Sequence, residues 1–139
     1  MRKLSLILLM VFFALVALSL AACGGGQAAS GPTEVHVKMT DFNFEMDKTS
    51  IPAGPVKFIF ENAGNETHEA VLEPAGANDE PFNVNDKESE VEDVAPGASA
   101  TLEWTIDQPG EYQLGCHINE NGEDHFALGM VQTFTVTAK

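Results

Sequence analysis

Thr101-Leu102-Glu103-Trp104-Thr105-Ile106-Asp107-Gln108-Pro109-Gly110-Glu111-Tyr112-Gln113-Leu114-Gly115-Cys116 reads as two strands around a turn. Leu102, Trp104 and Ile106 alternate with polar neighbours, the period-two pattern of a half-buried strand, and point inward. Asp107-Gln108-Pro109-Gly110 is a turn signal. Tyr112, Leu114 and Cys116 then alternate, so the thiol points the same way as two core-type side chains. A β-structure is expected here, with a cysteine where a strand ends.

Downstream, Gly115-Cys116-His117-Ile118-Asn119-Glu120-Asn121-Gly122-Glu123-Asp124-His125-Phe126-Ala127-Leu128-Gly129-Met130 places a thiol, an imidazole and a thioether in one short segment. His68 lies far upstream. Two imidazoles, one thiolate and a weak thioether are the donor set of a blue-copper electron-transfer site. A cysteine at a strand end, a histidine in the next loop and a methionine starting the following strand can converge if those strands are neighbours. The polar, acidic run Asn119–Asp124 makes this loop long.

Upstream, the same alternation recurs. Val35, Val37 and Met39 alternate with Glu34, His36 and Lys38, which puts His36 on the wet face; Phe42, Phe44 and Met46 continue the pattern. Ile51-Pro52-Ala53-Gly54-Pro55 is a turn, Val56–Phe60 a strongly β-prone run, and Asn62-Ala63-Gly64-Asn65 a loop leading to His68. Ala70-Val71-Leu72 is another short strand. Pro74–Asp93 is acidic and poor in apolar residues, and reads as a solvated excursion with a short helical turn. The last strand runs from Met130 to about Ala138. No 3.6-residue period follows the N-terminal segment. Seven to eight short strands separated by Pro, Gly and Asn turns argue for an all-β sandwich.

The N-terminus is of a different kind. Met1-Arg2-Lys3 is a basic start, Leu4–Leu20 is almost wholly apolar, and Leu20-Ala21-Ala22-Cys23 looks like a bacterial lipoprotein signal. The expected organisation is a signal peptide over 1–22, a lipid-anchor cysteine at Cys23 with a flexible linker over 23–32, and one folded domain over 33–139. The domain would then sit outside the cytoplasm, tethered to a bacterial membrane. With Cys23 lipidated, Cys116 is a lone thiol in an oxidising compartment, and metal ligation is one reason for such a residue. Seven basic against 21 acidic side chains disfavour nucleic acid and favour a basic docking partner.

With these pieces assembled, the chain resembles the cupredoxin family, the plastocyanin- and azurin-like blue type 1 copper proteins, over Thr33–Lys139. The resemblance rests on DFNF, IPAGPVKFIFEN, the THE histidine, APG, PGEYQLGC and the terminal C…H…GM. It implies a Greek-key β-sandwich with one mononuclear type 1 copper held by His68, from the loop before its strand, and by Cys116, His125 and Met130. It also implies backbone N–H groups near His68 that donate to the Cys116 sulfur. Where the family often has Asn after the first histidine, this chain has Glu69, so Asn62 or Asn65 would have to brace that loop. His117 should face away from Cys116 and have a structural or surface role. Glu120, Glu123 and Asp124 should favour Cu(II) and lower the reduction potential.

The function implied is single-electron transfer by a monomer, through a partly exposed His125 edge ringed by Phe126, Ala127 and Leu128. Its partner would be a c-type cytochrome or a copper-containing oxidase. The alternative is a copper carrier or chaperone that delivers or sequesters the ion. An enzyme is disfavoured, because a multicopper cluster needs His-x-His pairs and the sequence has none.

Overall fold

Alternation does organise this chain into strands. The computed structural model describes residues 31–139, and Gly31–Lys139 form one compact unit. The expected signal segment, Cys23 and the linker up to Ser30 lie outside the described residues. The strands, in order, are β1 (Thr33–Thr40), β2 (Asn43–Met46), β3 (Ser50–Pro52), β4 (Gly54–Asn62), β5 (His68–Pro74), β6 (Asn83–Val84) and β7 (Lys87–Glu88). There follow β8 (Glu90–Val94), β9 (Ser99–Ile106), β10 (Gly110–Gly115), β11 (Asn119–Glu120), β12 (Glu123–Asp124) and β13 (Val131–Thr137).

Nine of them build a sandwich. One sheet has the order β2-β1-β4-β9 and the other β3-β13-β10-β5-β8; β6-β7 and β11-β12 are separate two-stranded ribbons. β1 runs parallel to β4, and β3 parallel to β13; the other pairs are antiparallel. Val35, Val37, Met39, Phe58, Phe60 and Leu102 of the first sheet pack against Ile51, Ala70, Leu72, Leu114, Phe134 and Val136 of the second. This is the expected all-β sandwich, with no helix among the described residues.

The structure corrects four readings. The stretch from Val35 to Met46 is not one continued pattern but a hairpin: Thr40 pairs with Asn43 across the two-residue turn Asp41-Phe42, with Phe42 at φ 63°. The apolar positions change from odd (35, 37, 39) to even (42, 44, 46) across it, as pairing through a two-residue turn requires, so that break in the alternation marks the hairpin. The acidic excursion 74–93 holds no helical turn. Asn85 and Asp86, both at positive φ, join β6 to β7, as a tight hairpin turn requires, and β8 adds an edge strand beside β5. Trp104 is half-buried rather than core, flanking a groove with Phe82 and Tyr112 while Lys87 Nζ lies 5.7 Å from its ring centroid. His68 is the first residue of β5 itself, not part of the loop before it.

What places the site is the middle of the five-stranded sheet. β10 lies between β13 and β5, so the end of β10 that carries Cys116 neighbours both the start of β5 and the start of β13.

Candidate metal centre

Three predicted ligands come together. Nδ1 of His68 lies 3.4 Å from Nδ1 of His125, and Cys116 Sγ lies 3.4 Å from the same His125 nitrogen. One donor atom from each of the three lies within 4.8 Å of the others, and all three residues are buried. The fourth, Met130, is fully buried, and its backbone ties the loop ends together: Cys116 N–H donates to Met130 C=O (3.0 Å) and Met130 N–H to His125 C=O (2.9 Å).

Local chemistry explains how the long loop delivers two ligands. Asn121 and Gly122, both in the left-handed region, make the tight turn that folds the acidic insertion into the β11–β12 hairpin. His125 N–H donates to Ile118 C=O and closes the hairpin's base. Asp124 then caps the next turn, its Oδ1 accepting from Ala127 N–H at 2.9 Å, before Gly129 at φ 107° turns the chain into β13.

The loop before His68 is braced differently. Asn62 is buried and its Nδ2 donates to Glu66 C=O and to Val94 C=O, both at 2.7 Å, while its Oδ1 accepts from Gly64 N–H. Asn65 is bound through its backbone and side-chain amides to Asp41. Both asparagines expected to stand in for the one that Glu69 displaces therefore do brace this loop. Those bonds from Asn65 hold the Asp41 carboxyl below its ordinary value.

The thiol sits in an environment suited to a cation. Burial pushes it up to about 11, against the pull of the Glu69 and Ile118 N–H groups, which donate to the sulfur as the resemblance implied. Burial and the adjacent His125 ring lower His68, so its ring is neutral near neutral pH. Two nitrogens and a sulfur thus face one another in a buried position with one thiol proton between them. A soft cation that displaces that proton satisfies all three, so the residues fit one mononuclear type 1 copper.

His117 is neither free nor a surface residue. Its Nε2 lies 2.9 Å from Oε1 of Glu73, its N–H donates to Glu69 Oε1, and its ring stacks on Phe126 at 4.5 Å. Glu73 is 0% exposed and also accepts from Gln113 Nε2 and Glu80 N–H. Gly115 leaves room for this group, since a Cβ there would lie 2.7 Å from His117 Nε2. Sequence reading missed Asp41, Phe42, Glu66 and Glu73. Of these, only DFNF carried a signal. The His125 edge is also more covered than expected: the residue is 2% exposed, with Phe42 edge-on at 5.0 Å and Glu66 beside it.

Among known proteins, the cupredoxin-like domain family matches residues 6–125. The chain belongs to that family. No curated protein matches it. Of solved structures, a sodium-dithionite-reduced auracyanin from the photosynthetic bacterium Roseiflexus castenholzii shares 20% identity. The alignment covers 78% of this chain and 99% of that one, with a TM-score of 0.59. Auracyanin A, described as a "blue" copper protein from the green thermophilic photosynthetic bacterium Chloroflexus aurantiacus, shares 17% identity over 78% of this chain and all of that one, TM-score 0.55. A multicopper oxidase shares 18% over 76% of this chain but only 42% of its own length, TM-score 0.51. At these identities the likeness is one of fold.

Proposed function

We propose that the protein is a membrane-tethered, extracytoplasmic blue-copper protein that carries single electrons between redox partners. The observation that carries this is the convergence of His68 Nδ1, Cys116 Sγ and His125 Nδ1 in a buried cavity. Copper held there would supply a one-electron Cu(I)/Cu(II) couple. The chain's own residues do the rest. His68 is fixed at the start of β5 and His125 in the loop between β12 and β13, so the donor positions are set before metal arrives. The sandwich excludes water, and two N–H groups bear on the sulfur and tune it.

Electron transfer, rather than delivery of the ion, is favoured by burial. All three donors are closed off from solvent, and His125 is covered by Phe42. A site that hands over its metal needs an exposed donor for the acceptor to attack. The fold neighbours described as auracyanins span about the same length as this domain, which supports a carrier over an enzyme.

The partner surface would centre on Leu128, 52% exposed, with Ala127 beside it, and be rimmed by Glu66, Glu120 and Glu123. A redox protein with a basic rim, such as a c-type cytochrome or copper oxidase, fits that charge. Cys23 would anchor the chain and residues 24–32 would let the domain swing, by roughly 17–19 Å root-mean-square.

The test is copper loading of the purified full chain. One copper per chain, an intense visible thiolate-to-copper band lost in Cys116→Ala, and repeated redox cycling without metal loss are expected. A colourless Cu(II) protein sinks the blue-copper reading; rapid transfer of copper to a chelating acceptor instead supports the copper-carrier alternative. Cys23→Ser should move the protein from membranes to the soluble fraction.

A further inference from the structure

Each ligand histidine has a carboxylate at its outer nitrogen. His68 Nε2 is buried and makes no hydrogen bond, and the Asp41 carboxylate stands within ion-pair reach, its Oδ1 3.5 Å away. His125 Nε2 lies 3.4 Å from Glu66 Oε2. The inner nitrogens, by contrast, face each other and the thiol. The two rings are thus oriented alike, Nδ1 toward the metal cavity and Nε2 toward an acid, although the acids come from unrelated places. Asp41 belongs to the β1–β2 turn, and Glu66 to the loop before β5.

The arrangement is built rather than incidental. Asp41 is held by three donors: Asn65 N–H at 2.8 Å, Asn65 Nδ2 at 2.8 Å and Glu66 N–H at 3.3 Å. Those bonds also fix the backbone that carries Glu66, so one turn sets both acids. Gly64 is required by the same packing. A Cβ there would overlap Asp41 Oδ1 and lie 3.1 Å from His68 Nε2. The adjoining Phe42, a bulky residue in the left-handed region, keeps the turn in a conformation that its side chain disfavours and lays its ring on His125.

We propose that Asp41 and Glu66 are positioning residues for the metal centre, each holding the outer N–H of one ligand imidazole. This rests on the blue-copper reading given above. Two consequences follow. Both rings keep Nδ1 as the free donor, because a carboxylate at Nε2 fixes the proton there. Two negative charges in contact with the ligands also stabilise Cu(II) over Cu(I), and so lower the reduction potential. The sequence expectation gave that role to Glu120, Glu123 and Asp124. The structure gives Asp124 a capping role, and sets Glu120 and Glu123 on an exposed hairpin, where solvent screens them.

The experiment uses the full chain with Glu66→Gln, Asp41→Asn, the double variant, and Glu120→Gln/Glu123→Gln as the comparison. Asp41→Asn keeps its bracing bonds if the Asn65 amide turns over, and Glu66 is exposed, so Glu66→Gln leaves the fold intact. The expected result is a higher potential in each single variant and a larger rise in the double. Cu(II) affinity should fall about 10- to 100-fold relative to wild type, as for other partners of ligand histidines. Imidazole nitrogen shifts should report Nε2–H on both rings in metal-free and Cu(I) wild type. A double variant with the wild-type potential, an equal rise in the hairpin variant, or Nδ1–H on either ring overturns the inference. Should wild type prove colourless with copper, the blue-copper reading fails by itself, and the metal-free shifts still decide whether the acids hold these rings.

Discussion

The two loops that deliver the ligands solve the same problem by different means. Residues 62–67, which lead to His68, are short and are held from outside, by Asn62 reaching to Val94 C=O and by Asp41 reaching across from another turn. Residues 116–130 are long and held from within, by a hairpin, a capped turn and two backbone bonds between Met130 and its neighbours. A loop braced by distant residues fails when one brace is lost. A loop made of small closed units loses one unit at a time. The first half of the site thus depends on contacts from elsewhere in the fold, and the second on bonds within its own segment.

The sharpest way to break this contrast is Asn62→Leu. It removes two donors from buried or part-buried carbonyls and the acceptor of Gly64 N–H. Leaving such groups unpaired costs about 1–3 kcal/mol each where burial is complete. A loss of about 3 kcal/mol is expected in urea unfolding of the metal-free protein, along with weaker copper binding. A loss below about 1 kcal/mol would show that the loop holds itself.

Asp124→Ala is the matching test on the other loop. Only the bond to Ala127 N–H is lost, and the site faces partial solvent. Capping changes of this kind cost about 1 kcal/mol. The visible band should persist with little change in position, whereas Asn62→Leu should shift or broaden it. Equal spectral damage from both variants would erase the distinction between the two loops.

How much of this was legible in the sequence follows the same divide. Strand alternation and the Cys116, His125 and Met130 spacing are local, so the sandwich and the inner loop could be read directly. His68 came from the likeness of its THE segment to the cupredoxin family, and Asn62 and Asn65 from the missing brace at Glu69. What escaped was long-range or contrary to expectation. Asp41 lies 3.5 Å from His68 although 27 positions separate them, a proximity that only the fold creates. Glu73 is a fully buried acid within a run of exposed ones, and only the fold reveals Gln113 and His117 as its partners. Trp104 looked like core because its strand alternates. β9, however, is an edge strand, and its groove is only half covered.

Reversing the hairpin charges with Glu120→Lys/Glu123→Lys should leave unfolding free energy within about 0.5 kcal/mol of wild type, as exposed substitutions do. Association with a basic redox partner should slow about tenfold or more at low salt, with a weaker salt dependence. An unchanged rate would move the docking surface elsewhere.

The smallest expected effect comes from pH, and it acts on the braced half. Burial and the neighbouring Glu88 carboxyl push Glu90 up to about 7, and burial raises Glu69 as well. Both acids flank the start of β5, on β5 itself and on β8, its edge partner. A carboxyl whose folded value is raised binds more protons in the native state than in the unfolded chain. Between its ordinary value of 4.5 and about 7, stability therefore falls as pH rises. Below that window both states are protonated, and above it both are charged, so the slope vanishes on either side. Glu90→Gln should flatten the metal-free stability profile across this window while leaving it unchanged at acid pH. The pH response should map to amide exchange in β5 and β8, the strands that carry Glu69 and Glu90. A wild-type profile that rises from pH 4.5 to 7 and keeps its slope in Glu90→Gln would place the dominant titration elsewhere.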